Sequence, residues 1–267
     1  MTRMTTRDAC DRKNKLCDIW YPTQLGTDAA KGGRRGYRHP VVSWANGTGQ
    51  KPENYAYYLK HLASWGFIVV ASQDTSTGNG ATTEDAAKYV LKLGETSSSP
   101  FYGKVDAANV GAVGHSQGGA AVTSLHARLS PVFKTYVAFH TSPWFFSALC
   151  CKVTPSSYRK SNVTASIFQW TSTPDSGTSD WYDPVPDTAE KAFALLRYAV
   201  HADIQNGDRP DCARLGCVQG MYPYLGYSTA WLMWRLQASN DVAAAFRPRG
   251  EFLRSGSNWS RSASNIR

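Results

Sequence analysis

Residues 112–120 read AVGHSQGGA. They continue the apolar run Val110-Gly111-Ala112-Val113, and Gly114-His115-Ser116-Gln117-Gly118 fits the pattern G-x-S-x-G. A serine flanked two residues away on each side by glycine suits a sharp strand-to-helix turn. The strained backbone lifts the side chain clear, and the missing Cβ atoms let neighbouring chain pass closely. Five residues alone read equally well as a Gly/Ser-rich loop, so the surrounding pattern has to decide.

Upstream, Pro40–Ala45 is a short apolar run that stops at Asn46-Gly47-Thr48-Gly49, as a buried strand entering a tight loop would. Tyr55, Tyr58, Leu59 and Leu62 mark one face of a helix over 52–64, with Pro52 near its start and Gly66 past its end. Phe67–Ala71 reads as a second buried strand. Thr82 opens T-x-x-D ahead of a helix carrying Ala86, Tyr89, Val90 and Leu93. Asn109–Val113 leads to the serine, and the run through Leu125 looks helical. Tyr136–Phe139 and Ala165–Trp170 are further strands. Residues 189–200 fit a helix by composition and a last strand by position, and Thr229–Phe246 reads as a helix. The alternation implies one α/β domain over 1–267, a mostly parallel sheet with helices on both faces. Residues 1–17 form an N-terminal extension, and 250–267 a basic tail.

Hydrophobic residues make up 42 % of the 267 and charged ones 18 %, enough apolar content for a packed core. No run approaches the length of a membrane span. The net charge of +9 raises the question of nucleic acid. No RNP motif, zinc spacing or helix-turn-helix pattern accompanies it, so no nucleic-acid partner, metal or cofactor is expected. With no heptad pattern, a monomer is expected. The six cysteines fall in three close couples. Cys10–Cys17 and Cys212–Cys217 are the expected disulfides, while Cys150 and Cys151 could bridge each other, stay reduced or pair elsewhere. That usage points to an oxidising, extracellular compartment, although MTRMTTRDAC has no apolar signal core.

A serine hydroxyl needs a base, and the base needs a carboxylate to hold its tautomer. On parallel sheets with a serine at such a turn, the chain order is Ser, acid, His. Three histidines follow Ser116: His126, His140 and His201. Asp175, Asp180, Asp183, Asp187 and Glu190 all lie beyond the first two. Only His201 can close the set. Asp175 comes first after the strand ending at Trp170, with Asp180 and Asp183 as rivals. The oxyanion donors expected are the N–H of Gln117 and an N–H of Gly47 or Thr48.

These residues resemble a known family. SSSPFYGKVDAANVGAVGHSQGG at 97–119 is similar to the segment entering the nucleophile of bacterial cutinases and poly(ethylene terephthalate) hydrolases. HLASWGFIVVASQDTST at 61–77, Ser142-Pro143-Trp144, Tyr198-Ala199-Val200-His201 and Trp231–Leu236 extend the likeness. The resemblance implies an α/β-hydrolase fold without a lid domain, with Ser116 as nucleophile, Asp175 as acid and His201 as base. It implies that Trp144 stacks on substrate, where the alternative is a core tryptophan, and that His115 borders the cleft. Departures are Gln117 where the family has methionine, and Gly47 at what looks like the family's aromatic oxyanion position. No cysteine stands near His201 or after Cys217. Ester hydrolysis of polyester or cutin type is the first expectation. A small-ester or lipid esterase is the second. A non-enzymatic binding protein is the third, against which the intact Ser116, Asp175 and His201 speak.

Overall fold

The computed structural model describes residues 1–28, 33–172, 179–205 and 220–267. In chain order the elements are β1 (Thr2–Thr5), β2 (Cys17–Tyr21), the short β3 (Thr27–Asp28) and β4 (Arg34–Arg35), then β5 (His39–Ala45), α1 (Ala56–Ser64), β6 (Ile68–Ser72), α2 (Ala81–Glu95), β7 (Val105–His115) and α3 (Gln117–Ala127). They continue with β8 (Thr135–Phe139), α4 (Trp144–Cys151), β9 (Ser166–Ser172), α5 (Ser179–Tyr182), β10 (Lys191–Leu196), α6 (Tyr222–Gln237), α7 (Asn240–Ala243), α8 (Glu251–Arg254) and β11 (Trp259–Ser264).

The main sheet runs β1-β2-β6-β5-β7-β8-β9-β10-β11. From β6 to β10 every neighbouring pair is parallel, and β2 and β11 join antiparallel at either side. The order carries a consequence for function. The chain leaves β5 for β6 on one side and returns as β7 on the other. The carboxyl ends of β5 and β7 therefore flank the switch point, where open α/β sheets leave a crevice. Loop 46–50 and Ser116 occupy those two ends.

Side chains alternate across the sheet as strand geometry requires. Val41 and Ala45 of β5 pack with Val70, Val90, Leu125 and Tyr136 on the face covered by α2 and α3. Val42 and Trp44 point the other way, to Leu62, Phe168, Trp170, Trp231 and Leu232 beside α1 and α6. Both faces of β5 are buried, which is why it reads as a continuous apolar run.

One reading left open between helix and strand is resolved as a strand, and three others need correction. Residues 191–196 form a strand, since β9 and β11 supply hydrogen bonds on both sides that outweigh helix propensity. The helix expected over 229–246 starts at Tyr222 and stops at Gln237, where Ala238 turns left-handed (φ +52°) and reverses the chain into α7. α2 begins at Ala81 behind Gly80 (φ +87°), not at a Thr82 capping box. Thr82 instead sends Oγ1 to Asp74 Oδ2 at 2.8 Å. The tail contributes β11, paired to β10.

Cys10 and Cys17 are bridged, closing a loop against the end of β6. Asp11 within that loop accepts from Ser72 Oγ, and Lys13 donates to Asp74 at 2.9 Å. Cys150 and Cys151 are bridged to each other. Cys212 and Cys217 lie outside the described residues.

Candidate active site

Ser116 stands between β7 and α3 with φ +59° and ψ −118°, a conformation that costs a non-glycine residue about 1–3 kcal/mol. The surroundings leave it little choice. Its N–H donates to the Phe139 carbonyl at 3.0 Å, and its own carbonyl accepts from Ala120 N–H at 3.0 Å. The glycines on either side are there for space. A Cβ on Gly114 would sit 2.4 Å from the Gly118 carbonyl oxygen, and one on Gly118 would sit 2.0 Å from that of Ala45. Only glycine lets the turn nest against the end of β5. The Ser116 side chain remains partly exposed.

Loop 46–50 is anchored from below. Asn46 Nδ2 donates to the Ser72 carbonyl at 2.7 Å and the Asp74 carbonyl at 2.9 Å. Gly47 is buried, and a Cβ there would meet Tyr55 Oη at 3.0 Å and His115 Nδ1 and Ser116 Cβ at 3.3 Å. A side chain at that position would press on all three, so glycine keeps the loop close against Ser116. Thr48, the next residue, is exposed. The Gly47 N–H donates to Tyr55 Oη at 3.2 Å. The Thr48 N–H has no partner among the described residues. Gln117 opens α3, so its N–H has no intrahelical acceptor. Gln117 Oε1 is buried with no hydrogen-bond partner among the described residues.

His201 is exposed at the start of a turn over 201–205 that follows β10, while Asp203 and Ile204 of the same turn are buried. The turn is held locally by Asp203, a buried carboxylate whose Oδ2 accepts from Val200 N–H at 2.9 Å. The His201 ring lies 4.7 Å from that of His115 and 5.4 Å from that of His140, centroid to centroid. The fold thus carries His201 to the residue next to Ser116 across 86 positions of chain. Asp175 falls outside the described residues, as does the side chain of Asp180. Asp183 is exposed on a turn.

His115 does not line the cleft. Its side chain is 0 % exposed, with Nδ1 2.9 Å from Tyr55 Oη and Nε2 2.8 Å from the His201 carbonyl. The reason is strand alternation: Val113 faces the Trp44 and Tyr55 side of the sheet, and His115 shares that face two residues on. The expected substrate contact is therefore corrected to a contact beneath the site. His126 and His140, which chain order set aside, are also buried. His126 bonds Tyr158 Oη and the Ala165 carbonyl, and His140 Nε2 lies 2.7 Å from Tyr224 Oη.

Trp144 opens α4 and is half exposed, so the core-tryptophan alternative fails. Phe145, Phe146 and Leu149 on the same helix are 50 %, 57 % and 82 % exposed. The segment is braced by the Ser142 carbonyl, which accepts from Trp181 Nε1 and Ser147 Oγ. At its far end the bridged Cys151 packs its Sγ 3.7 Å from the Gln117 carbonyl oxygen. Tyr198, exposed and at φ +58°, leaves the same strand-end face after β10.

A family model described as PET hydrolase-like matches residues 18–225. The chain belongs to that family. The protein is accordingly a carboxylic ester hydrolase with the α/β-hydrolase fold, and the match spans β2 through the first turn of α6. No curated protein matches the sequence. Among the described residues, no helix is long and apolar enough to cross a membrane.

Reading the sequence missed Tyr55 and Asp203. Tyr55 carried the helical spacing of a core residue, and nothing in the chain announces that its hydroxyl meets a histidine 60 positions later. Asp203 carries no sequence signal, because it follows His201 and so falls outside the Ser, acid, His order.

Proposed function

We propose that this hydrolase cleaves esters of a water-insoluble polyester, of cutin or poly(ethylene terephthalate) type, through an acyl-enzyme on Ser116. The observation that carries the reading is Ser116 at positive φ on the switch point of the sheet, with loop 46–48 on one side and His201 on the other. His201 removes the Ser116 proton as Oγ attacks the ester carbonyl, then returns it to the leaving alcohol. Water activated by the same imidazole releases the acid. Asp175 holds the imidazolium. The N–H groups of Gln117 and Thr48 receive the oxyanion, since Gly47 has already committed its own to Tyr55. Trp144 stacks on the acyl unit, and exposed Phe145, Phe146 and Leu149 extend an apolar ledge beside it that a soluble ester has no use for. Two disulfides among the described residues support export to an oxidising compartment.

A small-ester reading has its own support. Gln117 puts a polar side chain where the family has methionine, and Gly47 leaves the matching aromatic position without a ring, so an acyl ring is gripped from the Trp144 side alone. The test is chromatography of products from amorphous poly(ethylene terephthalate) film, with a Ser116→Ala protein beside it and a soluble activated ester as control. Terephthalate-type products from the parent alone support the polyester reading. Turnover of the soluble ester without film products gives the small-ester reading first place.

A further inference from the structure

Three hydrogen bonds join the segments that carry the proposed oxyanion loop, nucleophile and base. Gly47 N–H donates to Tyr55 Oη at 3.2 Å, Tyr55 Oη lies 2.9 Å from His115 Nδ1, and His115 Nε2 lies 2.8 Å from the His201 carbonyl oxygen. The two ends fix the direction of the chain. An amide N–H only donates and a carbonyl only accepts. His115 therefore carries its proton on Nε2, and its Nδ1 accepts from the Tyr55 hydroxyl.

Neither side chain reaches solvent or the cleft. Tyr55 is wedged against Trp44, ring centroids 4.7 Å apart, and burial keeps its phenol protonated far above the ordinary range. Gln205, on the same turn as His201, is a second hydrogen-bond partner of Tyr55. The His201 turn is thus tied to the floor of the site through His115 and through Gln205.

We propose that Tyr55 and His115 form a buried positioning relay that sets the His201 turn against the Ser116 elbow and holds the Gly47 N–H out of the oxyanion site. The relay rests on the ester-hydrolase reading with His201 as base. It touches no substrate, so its effect falls on the chemical step. A side chain that merely satisfies a buried polar group would change stability and leave kcat per folded site alone.

The experiment uses the full chain as Tyr55→Phe, His115→Leu and His115→Gln proteins, with kcat and KM for a soluble aryl ester normalised to sites titrated by a fluorophosphonate. Tyr55→Phe and His115→Leu should lower kcat about ten- to a hundred-fold, with KM within about two-fold of the parent. His115→Gln places an amide N–H toward the His201 carbonyl and should recover most of what His115→Leu loses. Tyr55→Phe keeps the core volume and serves where His115→Leu does not fold. Parental kcat per titrated site in Tyr55→Phe, whatever its melting temperature, overturns the relay. A parent protein that is folded yet inert to ester and fluorophosphonate overturns the ester-hydrolase reading, and the relay falls with it.

Discussion

Gly118→Ala tests the packing that holds the Ser116 turn against loop 46–50. The added methyl would stand 2.0 Å from the Ala45 carbonyl oxygen, 2.5 Å from its carbon and 2.8 Å from the Asn46 carbonyl oxygen. An ordinary carbon–oxygen approach is about 3.3 Å. Something must therefore move by about 1.3 Å, and every atom in the way is backbone. β5 cannot yield, because it is paired on both sides and buried along its whole length. Overpacking a rigid core costs about 1–3 kcal/mol, and this contact belongs at or above the upper end. At about 2–4 °C per kcal/mol for a chain near this size, the melting temperature should fall by about 6–12 °C. The displacement falls on the Thr48 N–H, so kcat on a soluble ester should drop by about a hundred-fold. Gly226→Ala is the control. That glycine lies within α6 with nothing inside 4 Å of a Cβ, and alanine there should stabilise by about 0.5–1 kcal/mol. The assay is a thermal melt with steady-state kinetics on all three proteins. A Gly118→Ala protein with parental melting temperature and kcat would refute the reasoning.

Two further outcomes are expected. Burial lowers His126 to about 4, with its Ala165 carbonyl bond opposing, from 6.5 in the unfolded chain. The unfolded state thus takes up this proton first, so the contribution is complete above pH 6.5, declines as pH falls from 6.5, and is fully lost below about 4, a change of about 3 kcal/mol. His126→Gln should flatten that part of the stability–pH curve, and an unchanged slope would count against it. For the ledge on α4, Phe146→Ser with Leu149→Ser removes apolar contact worth about 1.5–3 kcal/mol per fully buried side chain. Adsorption to film should fall about ten-fold or more while kcat/KM on a soluble ester stays at the parental value. Equal losses on both substrates would contradict a docking role.

The turn at Ser116 was legible because its geometry has a residue cost that shows in sequence. Gly114 and Gly118 stand where backbone passes within 2.4 Å of a would-be Cβ, and the apolar run before them marks a strand buried on both faces. His201 was legible by chain order alone. Other features leave no such mark. Ala238 turns at positive φ without being glycine, so the end of α6 carries no signal. The Lys191–Leu196 composition suits a helix, and only the neighbouring strands make it one of theirs. β1 is a polar edge strand, with alternate residues exposed. His115 is different in kind. Strand alternation from Val113 already points it toward Tyr55 and the core, whereas the resemblance to cutinases pointed it into the cleft, and the local rule was the better guide.

Covalent labelling decides whether Ser116 is the nucleophile. Folded protein treated with a fluorophosphonate should gain one adduct, which peptide mass spectrometry places on the segment carrying Gly114-His115-Ser116-Gln117-Gly118, with none in Ser116→Ala. An adduct on another residue, or no adduct on protein that still turns over ester, would contradict the account.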